Sequence, residues 1–204
     1  MNQEKEKGGI RGIVIGITGT FLSGKDTVAD MIREDFSFKE HHTFSDQIRK
    51  EATKIGMTHE RENLYILGNE IRKNFGAGEL GRRVIGDIKT DRVLVTGFRN
   101  PAEIEVFKQV SAEKNLYFYL IGVDAPIRIR YERSLQRGRA EEDKKSFESF
   151  KKIDDNELYG GETKQENEMF ISKCLEMSDF LIMNDSSFEN LKEKTIEIVN
   201  QILN

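Results

Sequence analysis

The stretch Gly19-Thr20-Phe21-Leu22-Ser23-Gly24-Lys25-Asp26-Thr27 constrains this chain more than any other. Its pattern is G-x-x-x-x-G-K, a phosphate-binding loop, with Asp26 where Ser or Thr is usual. The flanks agree with it. Ile10 to Ile17 is a β-branched run of the kind that fills a buried parallel strand. After Lys25 the apolar positions change to helical spacing, at Val28, Ala29, Met31, Ile32 and Phe36. The loop is therefore expected between a strand and a helix start, where free backbone N–H groups and the helix dipole favour an anion. Gly19 and Gly24 let a phosphate approach closely, and Lys25 would reach the β- and γ-phosphates. Thr20, Ser23, Asp26 and Thr27 complete the expected nucleotide-binding set. The alternative is a plain glycine turn joining strand to helix.

The rest of the chain reads as alternating strands and helices. A short strand is expected over Phe38–Ser45, then helices over Gln47–Ile55, Glu60–Phe75 and Leu80–Lys89. Arg92–Gly97 is a strong third strand. Asn100 and Pro101 suit the cap and first turn of a helix over Ala102–Ala112. Leu116–Val123 is a fourth strand, followed by an arginine-rich helix over Ile127–Gln136. A polar segment with helical pieces covers Glu141–Tyr159, and Gly160-Gly161 ends it. A helix over Gln165–Met177, a strand over Phe180–Met183 and a closing helix striped by Phe188, Leu191, Ile198, Val199 and Ile202 follow. Alternation of this kind implies an α/β domain with a mainly parallel sheet, and ligands at the carboxyl edge of that sheet.

Composition narrows the classes. The 204 residues suit a single domain, with residues 1–9 as a loose tail. Cys174 is the only cysteine, which excludes an internal disulfide framework and suits a reducing cytoplasm. It reads as a small core filler. The charged start has no apolar signal segment, and no apolar run approaches the roughly 20 residues that span a bilayer. A cytoplasmic chain without a membrane partner is expected. The net charge of −4 argues against non-specific nucleic-acid binding. His41, His42 and His59 lack metal-ligand spacing. Monomer and homodimer both stay open.

Three groups of residues could carry chemistry. The first is metal-binding. Asp26 could supply a carboxylate to Mg²⁺, with the hydroxyl of Thr27 or Thr96 as its companion; otherwise Asp26 caps the helix and Thr96 ends a strand. The second is Arg49, Arg72 and Arg99, all close to expected strand ends, which could enclose an acceptor phosphate or could be surface charges. Asp46 beside them could orient or deprotonate an acceptor hydroxyl, or cap the next helix. The third is Arg128, Arg130, Arg133, Arg137 and Arg139. The spacing puts Arg130, Arg133 and Arg137 on one helix face, where a closing segment could neutralise a moving phosphoryl group. A solvated helix is the alternative.

Together GTFLSGKDTVAD, FSDQIRKE, LGNEIRKNFGAGELGRRV, TGFRNPAEIEVFK, RYERSLQRGRAEED and SDFLIMNDSSFENL resemble the P-loop kinases of the nucleoside monophosphate kinase type. The branch resembled contains dephospho-CoA kinase and deoxynucleoside monophosphate kinases, and the resemblance covers about Ile13 to Val199. It implies a three-layer P-loop NTPase fold with a five-stranded parallel sheet in the order 2-3-1-4-5 and a helical lid insertion. It also implies ATP and Mg²⁺ at Gly19–Thr27 and a small phosphorylated acceptor bound over residues 46–90. Asp46, Arg49, Arg72 and Arg99 would face that acceptor. A lid over residues 128–160 would carry Arg133, Arg137 and Arg139, with Asn184 and Asp185 near the adenine. Lys25, Asp46, Arg99, Arg133 and Arg137 would be catalytic. The acceptor expected is a nucleoside or deoxynucleoside monophosphate, with dephospho-CoA as the alternative. The chain departs from the pattern in two places. It has Thr96-Gly97-Phe98-Arg99 for Asp-Gly-x-Arg, and Ile153-Asp154-Asp155-Asn156-Glu157 for Arg-Asp-x-Arg-Glu. These departures make a non-catalytic nucleotide-binding regulator the alternative of another class. A dinucleotide-binding dehydrogenase is disfavoured, because G-x-G-x-x-G is absent after the first strand.

Overall fold

Consecutive residues of the first strand bury opposite ways. Val14 faces one hydrophobic cluster and Ile15 and Ile17 the other, all without exposure. A strand buried on both faces belongs in the middle of a sheet covered by helices on each side. In the computed structural model, which describes residues 12–137, 146–161 and 165–204, that strand is β1 (Gly12–Gly19). It lies between β3 (Arg92–Phe98) and β4 (Leu116–Asp124), parallel to both. The short strands β2 (Glu40–Thr43) and β5 (Phe180–Met183) take the edges, giving the order β2-β3-β1-β4-β5.

One face of the sheet is covered by α1 (Lys25–Phe36) and α9 (Phe188–Leu203). Val28, Ile32, Leu191 and Val199 pack there against Ile15, Leu94 and Val123. The other face is covered by α2 (Phe44–Lys54), α3 (Arg61–Phe75), α4 (Glu79–Gly86), α5 (Pro101–Glu113) and α8 (Ile171–Glu176). Its core joins Phe44, Leu67, Leu80, Ile104 and Phe107 to Val14, Val95 and Leu120. Each such side chain contributes about 1.5–3 kcal/mol by leaving water. Two more helices, α6 (Ile127–Arg137) and α7 (Phe147–Tyr159), stand over the carboxyl edge. The fold is therefore the expected α/β three-layer one, in the expected strand order.

Local departures have identifiable causes. α2 starts at Phe44, not Gln47, because Thr43 is its cap: its hydroxyl accepts from the Asp46 N–H at 2.9 Å. Phe44 then packs on Phe98 with ring centroids 4.8 Å apart, which ties the start of α2 to the end of β3. Gly97, just before Phe98 in β3, has φ 97°, a left-handed value that favours glycine. The helix expected over Gln165–Met177 shrinks to α8. Residues ahead of it are held in another shape by Asn100, whose amide donates to the carbonyls of Glu166 and Glu168 at 2.7 Å each. The Phe170 N–H bonds the Arg99 carbonyl at 2.8 Å. Asn100 also caps α5 in a capping box with Glu103, as its place before Pro101 suggests.

Candidate nucleotide and acceptor site

The loop from Gly19 to Gly24 joins β1 to α1 at the carboxyl edge. A Cβ on Gly19 would collide with the Val123 carbonyl oxygen of β4, and one on Gly24 with the Asn184 amide. Gly24 is the residue before α1, with φ 95°, and no side chain caps the helix. Asp26 is thus not the cap. It lies in the first turn with its side chain 81% exposed, 3.3 Å from Lys25 Nζ. A carboxylate there is favoured by the helix dipole.

The loop is braced from outside. Thr20 Oγ1 donates to Asp124 Oδ1 at 2.7 Å. Asn184 Nδ2 donates to the Ser23 carbonyl at 2.7 Å. Arg133 reaches the carbonyls of Leu22 at 3.1 Å, Ser23 at 3.4 Å and Asn184 at 3.2 Å. Arg130 bonds the carbonyls of Phe21 and Ala125 and forms a buried pair with Asp154 of α7. With the carbonyls of Phe21, Leu22 and Ser23 all engaged, the loop is left rich in donors, as an anion cradle requires. Ser23 Oγ is buried inside it with no partner among the described residues. Burial chiefly lowers the pKa of Lys25; Asp26 opposes that and Arg99 adds to it.

A cleft of about 480 Å³ opens beside the loop. Lys25, Asp26, Thr27, Arg133, Arg137 and Asn184 line it, joined by Phe21, Ser186 and Phe188. These site residues singled out in the sequence, and Gly24 with them, therefore meet in one cavity. Arg133 also bonds the loop and Asn184 fastens it. Arg139 lies outside the described residues.

The acceptor set is less unified. Asp46, in the first turn of α2, and Arg49, one turn on, form an exposed pair at 3.0 Å. Arg72 departs from expectation. Its side chain has no exposure, and its Nε lies 2.9 Å from Glu103, also fully buried. The reason is the α3–α5 packing: Glu103 Oε2 already accepts the N–H groups of Arg99 and Asn100, and Arg72 answers its charge. An acceptor cannot reach Arg72 in this arrangement, so Arg72 is a structural residue here. Thr96 is also turned away from a metal role, being 4% exposed with its hydroxyl 3.1 Å from His41 Nε2. Of the three oxygen donors proposed for Mg²⁺, Asp26 and Thr27 share the cleft and Thr96 does not. No cluster of three His, Cys, Asp or Glu side chains that could hold a metal occurs among the described residues.

Arg99 remains near Lys25, and two partners not foreseen stand with it. Glu157 of α7 lies 3.2 Å from Arg99 and 2.7 Å from Arg61 at the start of α3. The Arg61 guanidinium stacks 3.7 Å over the Phe21 ring of the loop. Glu157 was visible only as the last residue of the Asp154-x-x-Glu157 stretch, and Arg61 carried no spacing signal. Cys174 is buried, and burial pushes its thiol pKa far up, so it is inert.

A donor-rich loop between the central strand and first helix, in a 2-3-1-4-5 sheet with helices on both faces, defines the P-loop kinase fold. A family profile described as an AAA domain matches residues 18–151. A UPF0200 protein of Sulfurisphaera tokodaii is 34% identical over 191 residues, spanning 93% of this chain and 97% of its own. The chain therefore belongs to that AAA-domain family and to the UPF0200 proteins. The UPF0200/UPF0201 protein of Archaeoglobus fulgidus is 31% identical over 91% of this chain, which spans about half, 54%, of that longer relative. Among solved structures, the shikimate kinase of Bacteroides thetaiotaomicron superposes with TM-score 0.57 at 10% identity, over 94% of this chain and 99% of its own. TT1252 of Thermus thermophilus does so with TM-score 0.56 at 19% identity, over 96% and 100%. At such identities these two share the fold alone. Among the described residues no helix is long and apolar enough to cross a membrane.

Proposed function

We propose that this chain is an ATP- and Mg²⁺-dependent phosphotransferase acting on a small phosphorylated acceptor, a nucleoside or deoxynucleoside monophosphate. The observation that carries this is the place of Lys25. It lines the cleft beside the loop and is close enough to Arg99 for their charges to interact. A donor phosphate on the loop and an anionic acceptor at Arg99 would thus meet at one lysine. The acceptor oxygen would bond the γ-phosphorus as the bond to the β–γ bridging oxygen breaks, releasing ADP. Lys25 draws charge from the γ-phosphate, and Arg137 in the cleft wall faces the nucleotide. Phe188, 59% exposed at the cleft, offers a face for the base. Asp46 would accept a hydrogen bond from the acceptor, with Arg49 holding it.

Asp26 and Thr27 fit Mg²⁺, which takes hard oxygen ligands and keeps several waters. When bound, the ion would neutralise charge on the β- and γ-phosphates. Asp26→Ala should raise the Mg²⁺ concentration for half-maximal rate by about tenfold. Its stability should fall by no more than about 1 kcal/mol, the helix-dipole contribution of a carboxylate whose side chain is 81% exposed. An unchanged Mg²⁺ requirement would remove Asp26 from the metal site.

The deciding assay is ADP release from Mg-ATP, with each nucleoside and deoxynucleoside monophosphate, dephospho-CoA and shikimate added singly. Shikimate belongs in the panel because the fold neighbour from Bacteroides thetaiotaomicron is a shikimate kinase. Release is expected with a monophosphate. Release with dephospho-CoA or shikimate alone would overturn the acceptor assignment. Tight ATP binding with no release at all would make the chain a nucleotide-dependent regulator.

A further inference from the structure

Glu157 is 4% exposed in its side chain, yet it carries a charge between cations. Arg61 Nη2 meets one carboxylate oxygen at 2.7 Å and Arg99 Nη1 the other at 3.2 Å. Lys25 lies near enough for its charge to act on the same group. Burial pushes the Glu157 carboxyl toward neutrality, but Arg99 and Arg61 outweigh it and hold it ionised. Asp26 answers Lys25 from the solvent side, so two guanidinium groups share one carboxylate and the cluster keeps an excess of positive charge.

The two arginines come from different elements, the start of α3 and the turn after β3, and the carboxylate comes from a third, α7. One oxygen per arginine is also how a phosphate or a ligand carboxylate would sit in such a clamp. Arg61 keeps 34% exposure and Arg99 25%, so an anion arriving from solvent meets both before Glu157 moves. Asp154 holds α7 separately through Arg130, so the clamp can exchange its anion without detaching the helix.

We propose that Glu157 is an internal anion seated in the clamp of Arg61 and Arg99, and that the anionic group of the incoming acceptor displaces it. The contact is autoinhibitory: every acceptor must compete with a carboxylate built into the chain. The word acceptor rests on the phosphotransferase reading; the anion site does not.

The test uses inorganic phosphate, without nucleotide, titrated by calorimetry into the unmodified protein, Glu157→Gln and the double variant Glu157→Gln/Arg61→Gln. Removing the competing charge should tighten phosphate binding about tenfold in Glu157→Gln. The gain should vanish in the double variant, which separates this site from phosphate held by the loop. Equal or weaker binding by Glu157→Gln overturns the proposal, and so does a gain that survives Arg61→Gln. Should Glu157→Gln not fold, hydrogen exchange on the unmodified protein decides. Saturating phosphate should speed exchange in the last turn of α7, and unchanged or slower exchange there overturns the proposal. Tighter phosphate binding without ADP release from any acceptor defeats only the phosphotransferase reading. ADP release with unaltered phosphate affinity in Glu157→Gln defeats only the internal anion.

Discussion

Lys25→Met should lower kcat/KM for the responsive acceptor by roughly 10³-fold while leaving the protein at least as stable as before. Methionine keeps the apolar stem and removes only the ammonium group. The loss of rate follows from the place of that group at the loop, where the charge of a moving phosphoryl would build. The gain or neutrality in stability follows from burial. The pKa of Lys25 is lowered chiefly by desolvation, so the folded chain holds that proton less firmly than the unfolded chain does. At neutral pH the charge therefore costs folding free energy. Asp26 is exposed and tolerates the loss of its partner, and Glu157 keeps both arginines. Thermal midpoints and steady-state rates on the same preparation test both halves. A rate within about tenfold of the unmodified protein would place the phosphates elsewhere. A large fall in midpoint would make Lys25 a structural cation. An active-site group that weakens the fold it sits in is the usual trade between stability and activity.

The loop was legible because it is contiguous: glycines, lysine, strand and helix signals all fall within a few residues of each other. Strand order was legible only through resemblance, since periodicity shows that a strand exists and not which strand it pairs with. Of the cleft residues, Arg133 and Arg137 on α6 showed as a basic helix face by their spacing, and Asn184 before α9 followed from the resemblance. What could not be read were pairings between distant segments. Arg72 and Arg99 look alike in the sequence, each an arginine near a strand end or helix face. One is sealed against Glu103 and the other stays partly open beside Glu157. The difference is made by α5 and α7, elements that lie 31 and 58 residues further along. Thr96 shows the same limit: its partner His41 sits on a neighbouring strand. The sequence offered Asp46 as a cap for α2, and the cap is Thr43 for a local reason. Both are good helix caps three residues apart, and the burial of Phe44 selects the earlier one.

Glu103→Gln should destabilise the fold by about 3–5 kcal/mol, the cost of leaving one member of a buried ion pair without its counterpart. At about 2–4 °C per kcal/mol for a chain of this size, the midpoint should fall by roughly 6–20 °C. Neither Arg72 nor Glu103 has any side-chain exposure, so water cannot replace the lost partner. Arg72 is already short of one bond, its Nη2 being buried without a partner among the described residues. Glu103 does more than answer the charge. Its second oxygen accepts the N–H groups of Arg99 at 2.9 Å and Asn100 at 3.1 Å, closing the capping box of α5 and fixing the turn that presents Arg99. Arg72→Met alone should be nearly as harmful, since it strands the carboxylate. Combining Arg72→Met with Glu103→Leu should recover part of the loss by removing both charges, but not all, because the two N–H groups stay unpaired. Urea denaturation of the three variants measures this ordering. A loss below about 1 kcal/mol for Glu103→Gln would mean the pair behaves as a solvated one. A variant of Arg72 with normal stability and a raised acceptor KM would return that arginine to the acceptor, where the sequence first suggested it. The core reading instead makes Glu103 the link between two elements: one oxygen answers Arg72 of α3 and the other holds the backbone N–H of Arg99 in the turn after β3.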